Sequence, residues 1–186
     1  QIVSDMRSLA RGGRSGTKPV DVCETIRAAI RMATAQWKRH ARFESELEPG
    51  LRVRGDPGRF CQVILNLLVN AAEALAESER TDGEVRVRCE QRGKHVVVEV
   101  LDNGPGIAEE VLPRVFDRFF TTKSAENGTG LGLSISRDIV RELGGELTAT
   151  NREDGGCCFQ VVLERVIEHE HDSTQIPSAK PHVLIV

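Results

Sequence analysis

Apolar residues recur along this chain in two rhythms. Val22, Ile26, Ala29, Ile30, Ala33 and Trp37 fall on one face of a 3.6-residue period, which predicts an amphipathic helix. Asp21 precedes it and Glu24 follows three residues later, the arrangement of a capping box. A second helix is expected from Asp56-Pro57, an acid at the cap followed by proline at the first helical position. Its apolar face is Phe60, Val63, Ile64, Leu67, Leu68, Ala71 and Leu75. Arg59, Gln62, Asn66, Asn70 and Glu73 make a separate stripe, about 100° around the helix. Two asparagines one turn apart lower the propensity of this helix and call for a reason.

The other rhythm has period two. Glu84–Glu90 and His95–Asp102 alternate as paired strands joined at Gln91-Arg92-Gly93-Lys94, and Glu146–Asn151 with Cys157–Leu163 reads as a hairpin around Asp154-Gly155-Gly156. Phe43–Leu47 and Leu51–Arg54 are shorter strand candidates, with Pro49-Gly50 as the turn. Ala108–Phe116 is expected as a short helix. Ser134–Leu143 is expected as a longer one, ended by Gly144-Gly145. Helices packed on one face of a mostly antiparallel sheet give an α+β class.

The flanks differ in character. Ile2, Met6 and Leu9 are spaced as the tail of a helix, and Arg11–Thr17 is rich in glycine and serine. Beyond Glu164 the chain turns polar, and it ends in His182-Val-Leu-Ile-Val186, like the first buried strand of another domain. The expected organisation is a helix tail over 1–11, a linker over 12–19, the main domain over 20–166, a linker over 167–180 and that strand over 181–186.

Composition narrows the function. With 25 basic against 28 acidic residues among 186, no basic excess argues for nucleic acid. No apolar run approaches the roughly 18 residues of a membrane span. A cytoplasmic setting is expected, and a cytoplasmic piece of a membrane-anchored protein would look the same. Cys23, Cys61, Cys89, Cys157 and Cys158 are odd in number and lack C-x-x-C spacing. They read as small buried residues, not as a disulfide framework or a zinc site.

The stretch Val98–Ser134 concentrates the candidate chemistry. A β-branched run ends in Asp102, Asn103-Gly104-Pro105-Gly106-Ile107 turns the chain, and a second cluster of Gly128, Gly130 and Gly132 opens a helix. Glycines let a backbone approach a ligand, and a helix N-terminus offers free N–H groups to phosphate. A nucleotide, read by the carboxylate at one end and held by amides at the other, is the simplest ligand. A dinucleotide fold would need a strand before the glycines, and a polar loop stands there instead. No Gly-x-x-x-x-Gly-Lys-Ser/Thr run is present.

Asn66-x-x-x-Asn70-Ala71, Asp102-x-Gly104-x-Gly106, Phe116-Asp-Arg-Phe119-Phe120 and Gly128-x-Gly130-x-Gly132 resemble, in order and spacing, the asparagine, first glycine, phenylalanine and second glycine boxes of two-component sensor histidine kinases. The likeness covers roughly residues 20–165. Phe-Phe-Thr-Thr-Lys resembles the subgroup that includes nitrogen- and oxygen-responsive kinases. The resemblance implies the fold of the gyrase, heat-shock chaperone, histidine kinase and mismatch-repair ATPase superfamily. That fold is a two-layer α/β sandwich of a mixed, mostly antiparallel sheet with three main helices on one face.

It also implies ATP and Mg²⁺ as ligands. Asp102 would take the adenine amino group, and Asn70 would ligate Mg²⁺ with Asn66 one turn away. Gly104 and Gly106 would let the backbone pass under the base beside Ile107. Gly128, Gly130 and Gly132 would give amides to the phosphates, with Thr129, Leu131 and Leu133 completing the ATP-binding set. Lys123 would reach the γ-phosphate, and residues from about Ala108 to Thr129 would form a lid. Asn66 and Lys123 are the catalytic candidates.

Two residues depart from the family's pattern. Glu73 stands where many members place a lysine, and Asn66 stands where ATP-hydrolysing relatives carry a glutamate base. None of His40, His95, His169, His171 or His182 lies in a His-Glu-x-x-x-Pro-like context. The acceptor histidine is therefore expected upstream of Gln1, on a dimerisation domain that would make the parent a homodimer and leave this piece monomeric. The ending resembles the opening of a receiver domain. An anti-sigma-type serine kinase, a gyrase-like ATPase and a non-catalytic ATP-sensing module are the alternatives.

Overall fold

The computed structural model describes residues 19–78, 80–122 and 129–167. The expected helix tail, both linkers apart from Pro19 and Ile167, the receiver-like strand, Lys123, Gly128, His169, His171 and His182 lie outside the described residues. In chain order the elements are β1 Pro19–Asp21, α1 Val22–Trp37, β2 Arg42–Leu47, β3 Arg52–Arg54, α2 Pro57–Glu77, β4 Glu84–Arg92, β5 His95–Asp102, a 3₁₀ turn Leu112–Arg114, α3 Gly132–Glu142, β6 Glu146–Asn151 and β7 Cys157–Glu164.

A five-stranded sheet runs β2-β4-β5-β7-β6. β2 and β4 are parallel, and the other pairs are antiparallel. Along β4, β5 and β7 the alternate residues Val85, Val87 and Cys89, Val96, Val98 and Val100, and Cys157, Phe159, Val161 and Leu163 are buried. That face packs against the helices. The opposite face carries charges in register, with Glu44 beside Arg86 and Glu46 beside Arg88 across the parallel pair. The architecture is thus the expected α+β sandwich, with α1, α2 and α3 on one side.

Local chemistry explains the helix starts. Asp21 accepts the Glu24 N–H at 2.8 Å, and Asp56 accepts the Arg59 N–H at 2.9 Å with Pro57 next to it. α2 is the central helix, with Phe60, Val63, Ile64, Leu67, Leu68, Ala71, Ala72 and Leu75 buried. By length and composition it is apolar enough to cross a membrane, yet here that apolar face is the core of the domain. α3 closes at Gly144, whose φ of +77° is the left-handed end that glycine supplies.

Three local expectations are corrected. Phe43–Leu47 and Leu51–Arg54 do not form a hairpin about Pro49-Gly50: β2 joins β4, while β3 pairs antiparallel with β1. β1 itself lies where a helix cap alone was expected. Ala108–Phe116 is not an α-helix, only turns around the 3₁₀ segment Leu112–Arg114. Pro113 stands in the first turn of that segment and lacks the N–H that an α-helix running on from Ala108 would donate. The short segment then turns Val115 and Phe116 down into the core, where Phe116 meets Phe159 edge-on at 6.5 Å.

Candidate functional site

A cavity of about 530 Å³ opens between α2, the 102–107 loop, the 3₁₀ turn and the start of α3. Strand parity places its most distinctive group. Asp102 continues the inward series Val96, Val98, Val100, so its carboxylate ends on the core face and is only 3% exposed. Oδ1 accepts from the Gly104 N–H at 2.8 Å and the Cys157 N–H at 3.2 Å. Burial raises the carboxyl above its ordinary range, against the lowering effect of those two amides and of Arg152. A Cβ on Gly104 would meet Asp102 Oδ1 at 2.9 Å, so a side chain there would displace that carboxylate oxygen.

α2 supplies the facing wall. Asn66, Asn70 and Glu73 line the cavity with Val69, Ala74 and Glu77. The Asn66 Nδ2 donates to Gly132 O at 3.3 Å and Ser136 Oγ at 3.2 Å, tying α2 to the first turn of α3. Asn70 has no side-chain hydrogen bond among the described residues, and its half-buried amide faces the cavity.

α3 starts differently from the other two helices. No side chain caps it, so its first amides are not answered by a carboxylate as those of α1 and α2 are. Gly132 stands in open space: the nearest atom to a Cβ placed on it would be Asn66 Nδ2, at 4.0 Å. Gly130 has φ +62°, and a Cβ there would lie 2.4 Å from the Phe119 carbonyl carbon. The Phe119 N–H donates to Gly130 O at 2.9 Å, so these residues join the two chain segments flanking 120–129.

Of the expected ligand residues, Asn66, Asn70, Asp102, Gly106, Ile107, Thr129, Gly130, Gly132 and Leu133 line one cavity. Gly104 lies buried beneath it, and Leu131 is the helix cap residue. Phe120, Thr121, Thr122 and Val111, expected only as parts of the lid and not as ligand residues, also line it. Their position on irregular chain gives no periodic signal. The cysteines are not reactive groups of the site: burial pushes Cys89 and Cys157 up to about 12 and Cys158 to about 11.

Residues 55–167 match the family described as histidine kinase-, DNA gyrase B- and HSP90-like ATPase. The chain belongs to this family. It is 37% identical over 166 residues to the C4-dicarboxylate transport sensor protein DctB of Rhizobium meliloti (strain 1021), covering 88% of this chain and 26% of that protein. It is 33% identical over 172 residues to the sensor protein FixL of Bradyrhizobium diazoefficiens, covering 91% and 33%. The chain therefore spans about a quarter to a third of these relatives. The nucleotide-free catalytic domain of histidine kinase ThkA superposes with a TM-score of 0.70 at 33% identity, over 81% of this chain and 97% of that one. The folded unit is a histidine kinase ATP-binding catalytic domain.

Proposed function

We propose that the domain binds ATP with Mg²⁺ in this cavity and transfers the γ-phosphate to a histidine on a separate helical dimerisation domain. The observation that carries the reading is the buried Asp102 carboxylate at the cavity wall, opposite an uncapped helix start. Adenine's amino group supplies the donor this carboxylate takes, and the open amides of α3 suit the phosphates. A cytoplasmic setting and a receiver domain as next acceptor belong to the same reading.

The donor set fits magnesium. No group of three His, Cys, Asp or Glu ligands exists among the described residues, so an ion here would be shared with phosphate and water. One amide oxygen, that of Asn70, suits that mode. Bound there, Mg²⁺ would neutralise phosphate charge. Asn66 holds the start of α3 in place and, as an amide, cannot accept a proton from water. Slow hydrolysis follows, with positioning as the main contribution of these residues. Lys123 is proposed as the cation for the γ-phosphate. Among the described residues no histidine lines the cavity, in keeping with an acceptor brought from elsewhere.

Calorimetry with ATP, with and without Mg²⁺, tests the site. Wild-type protein is expected to bind in a magnesium-dependent way. Asp102→Asn should bind about 10- to 100-fold more weakly, the scale of a lost hydrogen bond to a charged group. Equal binding by the two proteins would reject Asp102 as the base reader. Phosphate transfer to a supplied dimerisation domain then tests the reaction.

A further inference from the structure

The far end of the loop that walls the base end of the cavity, Gly106-Ile107, lies beyond the pairing of its own strand. Beyond Asp102 the sheet pairing of β5 stops; Asn103 is still tied to Glu84 and Asp82, and the support of Gly106 and Ile107 further along comes from the β6–β7 hairpin. Asn151, the last residue of β6, meets Ile107 with both ends of its amide. The Ile107 N–H donates to Asn151 Oδ1 at 2.8 Å, and Asn151 Nδ2 donates to Ile107 O at 2.6 Å. One side chain thus answers both backbone groups of one residue, as a neighbouring strand would. Because each end of the amide faces a group of fixed polarity, its orientation is settled.

The rest of the hairpin tip presses on the same loop. Gly106 has φ +77°, and a Cβ there would lie 3.0 Å from Asn151 Oδ1. Arg152 Nη1 donates to the Asp102 carbonyl at 2.8 Å. Gly156 comes so near that a Cβ on it would lie 2.0 Å from Asp102 O. Gly106 and Ile107 line the cavity, whereas Asn151 stands behind them, outside its lining.

We infer that Asn151 is a positioning residue for base selectivity, holding Gly106-Ile107 as the wall that keeps adenine aligned with Asp102. The inference rests on the nucleotide reading given above. Asp102 rewards a purine only if the base sits at hydrogen-bonding distance and angle, and a wall free to shift lets it tilt away. Guanine offers an oxygen where adenine offers the amino group, so its binding takes nothing from that alignment. Loss of Asn151 should therefore weaken ATP selectively.

The test is calorimetric titration of Mg-ATP and Mg-GTP against wild type, Asn151→Ala and Asn151→Asp, with hydrogen exchange read at the Ile107 amide. The aspartate variant keeps the size and turns an oxygen toward the Ile107 carbonyl. Both variants are expected to lose ATP affinity roughly tenfold, the worth of about one net hydrogen bond, with a smaller change for GTP. Ile107 exchange should quicken without a matching fall in thermal stability. An unchanged ATP-to-GTP ratio, whether neither affinity moves or both fall together, would overturn the inference, as would unchanged exchange at Ile107. Wild type that binds no ATP would remove the nucleotide reading and this inference with it. Wild-type binding beside unaffected variants would remove the inference alone.

Discussion

Asp102 is held at a cost to the fold. Its carboxylate lies on the core face of a strand with two backbone amides and the field of Arg152 to offset burial, and its pKa still stands above the ordinary carboxylate range. A folded-state value above the unfolded one means that its contribution to stability is fully present below about pH 4 and is lost as pH rises through the raised value. Asparagine at this position keeps an oxygen for the Gly104 and Cys157 amides and carries no charge to desolvate. Denaturant unfolding of Asp102→Asn beside wild type should therefore show the variant gaining relative stability as pH rises from about 4 through the raised pKa. A constant difference across that range would mean that the carboxylate is fully compensated. The residue proposed to read the base would then be no burden on the empty fold.

At the scale of the element, α2 divides its work between two faces. Leu68 is fully buried, and Leu68→Ala should cost about 2–5 kcal/mol in unfolding experiments. Asn70 faces the cavity, where alanine has the higher helix propensity. Asn70→Ala should leave stability unchanged or slightly raised while the magnesium dependence of ATP binding disappears; retained dependence would assign the ion to other ligands. This division was legible in the sequence, because caps, an apolar face and a polar stripe are all local and periodic. The same holds for β5, whose alternation ends in Asp102. What was not legible depended on partners distant in sequence. β2 and β3 are adjacent strands that look like a hairpin, but the parallel pairing of β2 with β4 is decided across α2. Ala108–Phe116 was expected as a short helix, yet Pro113 and the demand of the core for Phe116 fix another path. Asn151 carries no motif at all. Its two bonds to Ile107 exist only because the hairpin folds back over the loop.

In the molecule as a whole, structural and ligand-binding chemistry occupy different places. The outer sheet face is a lattice of exposed ion pairs such as Arg88–Glu46 and Arg92–Glu90, each of small worth in water. The core lies between that sheet and the helices, and the cavity stands at one edge, joined by groups from α2, β5, the hairpin and α3. A ligand that touches all of these binds only the folded chain and so stabilises it by mass action. At a hundredfold excess over its Kd, Mg-ATP should add about 2.7 kcal/mol. For a domain of this size that corresponds to an upward shift in Tm of about 5–10 °C. Thermal unfolding followed by circular dichroism measures the shift directly. Asp102→Asn, tested at the same nucleotide concentration and binding about 10- to 100-fold more weakly, should keep only about a sixth to a half of this shift, because its loss is in binding and not in folding. A variant that melts far below wild type without nucleotide would place Asp102 among the supports of the fold and weaken its assignment as the base reader. An undiminished shift in that variant would move recognition of the nucleotide to the phosphate end of the cavity, at the first amides of α3.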